Sequence, residues 1–158
     1  MNPIIECGNT HSLLFTPEGS VYFWGGNLNH NSTTFPTLLS SLPPIIAVSA
    51  GNSFSLFIDL DGNSWGLGTF HNGHIFTGRR LEVPTKLLFD KKLKNVHCTF
   101  RSGCFFLEEN GTVWASVGDN DCGQLGLGDN NPRAFFDKIT TLPVLAKRLK
   151  KTKSANKH

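Results

Sequence analysis

The sequence is short of charge, of methionine and tyrosine, and of long apolar runs. Charged residues make up only 17% of its 158 residues, with a single Met and a single Tyr. So little charge excludes a chain held open by its own repulsion. No apolar stretch approaches the roughly 20 residues that a membrane-spanning helix needs. The start, Met1-Asn2-Pro3-Ile4-Ile5-Glu6-Cys7, lacks the basic region and apolar core of a signal peptide. These two absences predict an intracellular chain, in cytoplasm or nucleus, with no membrane span. Cysteines are few, and Cys7, Cys98, Cys104 and Cys122 form no C-x-x-C pair. A zinc site is therefore not expected, and the four thiols are expected as small core residues.

What the chain does have is punctuation and aromatics: 16 Gly, 8 Pro and 13 Phe. That mixture suits short strands joined by many turns. The net charge of +3 conceals an asymmetry. Residues 147–158 hold six basic side chains and no acid, so the other nine basic and twelve acidic groups leave the body at about −3.

The chain also repeats itself. Cys7-Gly8-Asn9-Thr10-His11-Ser12-Leu13-Leu14-Phe15 leads through Pro17-Glu18-Gly19 to Val21-Tyr22-Phe23-Trp24-Gly25. Ala50-Gly51-Asn52-Ser53-Phe54-Ser55-Leu56-Phe57-Ile58 leads through Asp61-Gly62 to Trp65. A third, worn copy runs from Val96-His97-Cys98 through Phe105-Phe106-Leu107 and Asn110-Gly111 to Val113-Trp114. The turn glycines Gly19, Gly62 and Gly111 stand 43 and 49 residues apart. Repeats of this period mark stacked supersecondary units. Each unit reads as an apolar run, a strand, a D-G or N-G hairpin turn and an aromatic return strand, with a Gly-Asn pair at cheap positive φ after the apolar run in the first two copies. A polar connection containing proline follows. Strands apolar on both faces call for sheets stacked face to face. The fold class expected is all-β, a partial propeller of about three antiparallel blades. The 3/4 spacing of Leu142, Leu145 and Leu149 fits one short C-terminal helix.

Through these residues the chain resembles the regulator of chromosome condensation repeat family. The first unit carries the family pattern at Gly8, His11, Ser12, Gly19, Val21, Tyr22, Trp24 and Gly25. The second carries it at Gly51, Gly62 and Trp65, and the third at Gly111 and Trp114. The third closes on Gly118-Asp119-Asn120-Asp121-Cys122-Gly123-Gln124-Leu125-Gly126-Leu127-Gly128. The resemblance covers residues 4–145, and it implies blades of about 50 residues, usually seven to a ring. Three units are expected here, over about 4–45, 46–93 and 94–145, with a basic tail at 146–158. The chain departs from the family at Phe54, Gly103 and Phe100, and at Ala115-Ser116-Val117. It also departs at Asn27–Thr34 and Thr69–Arg80, where closing glycines would stand.

Other constellations read as structural. The run Gly123–Gly128 lacks the Gly-Lys-Ser/Thr ending of a phosphate loop. His71 and His74 have no further ligand nearby in sequence. His11 is expected to bond a neighbouring backbone group. Asp119, Asp121 and Asp129 occupy turn positions where Asp caps its own backbone. Phe105, Phe106, Trp65 and Trp114 read as core. No nucleophile–base pair, cofactor loop or metal set stands out, so no catalytic, cofactor or metal residue is assigned. The basic cluster Lys147, Arg148, Lys150, Lys151 and Lys153 suits nuclear import or anion binding.

The expected function is a non-enzymatic protein-interaction module. Three blades of a ring leave two apolar faces bare, which points to self-association or to another repeat-bearing chain. The resemblance implies an alternative, since the family's namesake promotes nucleotide exchange on the small GTPase Ran and binds chromatin. This chain would then act as such an exchange factor or a component of one, with nucleic acid contacted through the tail.

Overall fold

A computed structural model describes residues 2–26, 32–70, 80–100, 103–115, 119–133 and 135–141. Among these residues twelve strands form three four-stranded antiparallel sheets, each from consecutive strands. The first holds β1 (Ile4–Cys7), β2 (His11–Phe15), β3 (Val21–Gly25) and β4 (Thr33–Leu38). The second holds β5 (Ile45–Ala50), β6 (Phe54–Asp59), β7 (Ser64–Gly68) and β8 (Leu81–Lys86). The third holds β9 (Leu93–Cys98), β10 (Cys104–Glu108), β11 (Val113–Ala115) and β12 (Asp137–Lys138).

The central hairpin of each sheet is the same object three times. Gly19, Gly62 and Gly111 sit at φ of 88°, 79° and 91°, a region that only glycine adopts cheaply. Their amides donate to the carbonyls of Thr16, Asp59 and Glu108 at 2.9–3.0 Å. Those three residues in turn donate to the carbonyls of Ser20, Asn63 and Thr112. Register follows from the turn: Phe15 pairs with Val21, Ile58 with Ser64 and Leu107 with Val113.

Three expectations are corrected. First, the polar, proline-containing connection after each aromatic strand forms a fourth strand. Pro36 and Pro84 lie inside β4 and β8, tolerated because each is an edge strand with few ladder bonds to give up. Second, Gly8 and Gly51 are not among the glycines at positive φ. A Cβ on Gly8 would strike the His11 ring and the Gly51 carbonyl, and one on Gly51 would strike the Phe54 ring. Close packing, not backbone hand, requires glycine there. Third, only Cys104 of the four cysteines is buried; Cys98 is half-buried, and Cys7 and Cys122 are exposed. The C-terminal helix over Leu142–Leu149 falls outside the described residues.

The sheets stack like cards. Leu13, Phe15, Val21 and Phe23 of the first face Ile45, Val48, Phe57 and Leu67 of the second. Ala47, Phe54, Leu56 and Ile58 on the other side of the second face Leu93, Val96, Cys104 and Phe106 of the third. Alternation along β6 thus serves two interfaces, which is why all six of its residues are buried. Burying one such Leu or Phe side chain contributes about 1.5–3 kcal/mol. Each sheet therefore depends on its neighbour for most of its stability.

Candidate functional site

The features able to meet a partner are the two ends of this stack and the loop that closes the third sheet. Each follows from a seam that the repeats build twice. At each seam the first strand of one sheet hooks onto the turn glycine of the sheet before it. Ile45 donates its amide to the Gly19 carbonyl at 3.0 Å, and Leu93 donates to Gly62 at 3.0 Å. Above the hook, His11 lies buried against the second sheet. Its Nε2 and the Ser55 Oγ share a 2.8 Å hydrogen bond, and its ring stacks on Phe23 at 5.6 Å. The partner is thus a side chain 44 residues away and not the expected backbone group. Burial holds the His11 imidazole below its ordinary pKa, and among the described residues its Nδ1 has no hydrogen-bond partner. At the next seam Phe54 and Cys104 take the places of His11 and Ser55, and both are buried in apolar surroundings.

At the first end, the face of sheet one that points away from sheet two has no cover among the described residues. Ile5 there is 62% exposed, whereas Val48 and Val96, which hold the same register in the next sheets, are 8% and 1% exposed. Leu14, Tyr22 and Trp24 continue this face and are half-exposed. At the other end, Phe105, Leu107 and Val113 of the third sheet are half-buried. Ala115, Leu125 and Ile139 form a small core against part of that face.

Trp65 and Trp114 are tied to the turns. Trp65 Nε1 donates to Asp59 Oδ2 at 2.9 Å, and Trp114 Nε1 donates to Glu108 Oε1. In both repeats the acid stands three residues before the turn glycine and the Trp three residues after it. Both rings pack at the edge of the cores, as does Phe105, while Phe106 is fully buried. Burial raises the Asp59 carboxyl, but the bonds from Trp65 and Asn63 outweigh it and hold the group below its ordinary range.

The closing loop is organised by Asn120, which is fully buried. Its Nδ2 donates to the carbonyls of Asp129 at 2.8 Å and Asn131 at 3.1 Å, and its Oδ1 accepts from Leu125 at 2.9 Å. Gln124 accepts from the Cys122 amide at 3.0 Å and donates to the Asp119 carbonyl. Asp129 accepts from the Asn131 amide at 2.8 Å and pairs with Arg133 at 2.6 Å, and Arg133 also reaches Asp137 at 2.6 Å. The Arg133 guanidinium holds the Asp129 carboxyl below its ordinary pKa. Gly123, Gly126 and Gly128 sit at φ of 71°, 69° and 89°. The side chains of Asn120, Gln124 and Asp129 are thus engaged with the loop itself, a structural arrangement and not a ligand cradle.

Two clefts recur beside the hairpin turns. One, of about 260 Å³, is lined by Glu18, Gly19, Val21, Leu39 and Pro44. The other, of about 340 Å³, is lined by Asn63, Lys86, Leu87, Leu88 and Phe89. Neither lining includes a nucleophile set beside a base. Among the described residues no three His, Cys, Asp or Glu cluster as a metal site would require. None of their helices is long and apolar enough to cross a membrane. His71, His74, Gly118 and the basic cluster at Lys147, Arg148, Lys150, Lys151 and Lys153 lie outside the described residues.

Sequential four-stranded sheets, stacked face to face and hooked turn to strand, are the blades of a β-propeller. No model of a known protein family matches the chain. The human probable E3 ubiquitin-protein ligase HERC6 is 31% identical over 138 residues, which are 77% of this chain and 13% of that protein. The ultraviolet-B receptor UVR8 of Arabidopsis thaliana is 28% identical over 154 residues, 89% of this chain and 34% of the receptor. The crystal structure of Prp20p of Saccharomyces cerevisiae, the yeast RCC1, superposes with a TM-score of 0.69 at 21% identity, over 86% of this chain and 37% of that one. The chain thus spans about a third or less of the length of each. It belongs to the regulator of chromosome condensation (RCC1) repeat family.

Proposed function

We propose that the chain is a non-enzymatic protein-interaction module that works through the open ends of its blade stack. The observation that carries this reading is the bare face of the first blade. Ile5 is 62% exposed at a register position buried in both following blades. Apolar surface of this kind on a rigid sheet marks a place for another protein. A purified chain examined by light scattering and thermal melting tests it. Concentration-dependent association, or a melting temperature raised by a repeat-bearing partner, is expected. A monomer that melts in one cooperative step and gains nothing from any such partner sinks the reading.

A second reading draws on the likeness to Prp20p, a protein whose structure was described together with its binding to Gsp1p and histones. Under it the chain forms part of a nucleotide exchange factor for a small Ran-like GTPase. Exchange requires tighter binding to the nucleotide-free GTPase than to the loaded form. Release of a fluorescent nucleotide, accelerated by catalytic amounts of the chain, is the expected result. Stoichiometric binding without acceleration returns the chain to the first reading. The cluster from Lys147 to Lys153 is proposed as a nuclear-import or nucleic-acid contact. Moved onto a reporter, it should concentrate that reporter in nuclei, and an evenly spread reporter removes the import role.

A further inference from the structure

One register position differs in its chemistry among the three sheets. In the first sheet Cys7 stands opposite Ser12, and in the second Ala50 stands opposite Ser55. In the third sheet Cys98 stands opposite Cys104. Two thiols therefore face each other across β9 and β10. Among the described residues no other strand pair sets two cysteines opposite each other.

The ladder at this point brings them close. The Thr99 amide donates to the Gly103 carbonyl at 2.8 Å, so Thr99 and Gly103 are a hydrogen-bonded pair. The next pair, Cys98 and Cys104, is then of the non-hydrogen-bonded kind. Accordingly the Cys98 amide donates away from β10, to Ser49 Oγ at 3.0 Å. In a pair of this kind the Cα atoms lie about 4.5 Å apart and the side chains approach most closely. A disulfide accepts Cα separations of about 4.4–6.8 Å. Both side chains leave the same face of the sheet. Cys104 lies in the core with Val96 and Phe106, and Cys98 packs against that core.

We infer that Cys98 and Cys104 are a dithiol site, which a low-molecular-weight disulfide such as oxidised glutathione closes into an intrachain bond between β9 and β10. In the folded chain the site is shielded. Burial, with the Cys104 thiol adding to it, pushes the Cys98 thiol well above its ordinary pKa, and Cys104 is itself buried. The thiolate is the reactive form. The reaction therefore belongs to the chain as it folds, before the seam between the second and third sheets shuts.

The chemistry runs in two exchanges. The Cys98 thiolate attacks one sulfur of oxidised glutathione. A Cys98–glutathione bond forms, the glutathione disulfide breaks, and the first glutathione leaves as a thiolate that takes up the proton Cys98 lost. As β9 and β10 pair, the Cys104 thiolate attacks Cys98 Sγ. The Cys98–Cys104 bond forms, and the second glutathione leaves with the proton Cys104 lost. The two cysteines are oxidised by two electrons and one glutathione disulfide is reduced to two thiols. In the open form the Cys98 thiol donates to the Ser49 carbonyl at 3.5 Å. The closed form has no proton to give, so the seam gives up that contact when the bond forms.

Refolding from urea in a buffer of reduced and oxidised glutathione tests the site. The chain is full-length and carries Cys7→Ser and Cys122→Ser, which removes the two exposed thiols and their exchange products. Trypsin cuts after Lys94, Arg101 and Arg133, so the bond would join peptide 95–101 to peptide 102–133. That joined peptide is expected by mass spectrometry, with loss of both free thiols. Its yield after refolding should exceed by about tenfold the yield in the same buffer with urea kept throughout, because the paired strands raise the effective concentration of one thiol at the other. Adding Cys104→Ser, which copies the other two sheets, should remove the joined peptide. Adding Cys104→Ser together with Phe105→Cys moves the thiol to the opposite face of β10 and should also remove it. Equal yields in urea and after refolding overturn the site, since nearness in sequence then suffices. Free thiols or glutathione adducts at both positions of the refolded chain overturn it, as does a joined peptide from the Phe105→Cys chain.

Discussion

His11 and Ser55 meet across the seam between the first two blades, and Phe54 and Cys104 replace them at the next seam. The position is therefore filled by matched pairs, one polar and one apolar. The polar pair has no spare partner. Ser55→Ala would leave a buried imidazole with neither nitrogen bonded. We expect a loss of about 1–3 kcal/mol in urea unfolding. His11→Phe alone should also destabilise, because it strands the buried Ser55 hydroxyl. The double change His11→Phe with Ser55→Cys copies the second seam and should recover at least half of the summed loss. Additive losses would show that the two seams are not equivalent.

The same histidine gives the seam a pH dependence. Burial keeps its folded pKa below the unfolded value of 6.5, so the unfolded chain takes up the proton first as pH falls. Its contribution is complete above that value and is lost as pH falls below it and through the folded pKa. Asp59 and Asp129, held below 3.8, lose their contribution only at lower pH. Unfolding midpoints should therefore decline between pH 7.5 and pH 5. That decline should be absent from the His11→Phe, Ser55→Cys double variant. An identical slope in both chains removes His11 as its source.

How much of this was visible beforehand depended on whether the signal was local. The hairpins were legible because Asp61-Gly62 and Asn110-Gly111 dictate a turn within four residues. The stacking was legible because Leu13, Leu14 and Phe15 are apolar on successive faces. The fourth strands were not, since Pro36, Pro84 and the exposed residues around them look like linker. The partner of His11 was not, because Ser55 lies 44 residues on and nothing local marks it. The Trp clamps did carry a signal. An acid and a Trp stand symmetrically about Gly62 and again about Gly111, and only comparison of the two copies shows it.

Those clamps should contribute measurably. Glu108 is buried and accepts from Trp114 Nε1 and from Asn110 Nδ2. Glu108→Ala leaves the indole N–H half-buried without its acceptor, at a cost of about 1–3 kcal/mol in denaturant unfolding. Glu108→Gln keeps an acceptor oxygen and should cost less than half as much. Equal losses from the two substitutions would mean that charge, not the hydrogen bond, matters at this turn.

Thiol chemistry should separate the cysteines by position. Cys7 and Cys122 are exposed, while Cys104 is buried and burial pushes the Cys98 thiol well above its ordinary pKa. The thiolate is the reactive form. A disulfide reagent at pH 8 should titrate Cys7 and Cys122 within minutes and reach the other two only in denaturant. Rapid modification of Cys104 would place a breathing motion at the second seam.

Asn120 holds the closing loop against the third blade. Its three hydrogen bonds, to Asp129, Asn131 and Leu125, tie the start of the loop to its far end. At about 1 kcal/mol for each, Asn120→Ala should cost about 3 kcal/mol if the loop unfolds with the blade. The Leu125 amide is the specific reporter, because it donates to the Asn120 side chain. In hydrogen exchange that amide should lose protection in the variant, while the amides of Ile45 and Leu93, bonded to turn glycines in the seams, keep theirs. Loss of protection at all three would instead mean that the loop and the seams unfold as one unit, with Asn120 stabilising the whole stack.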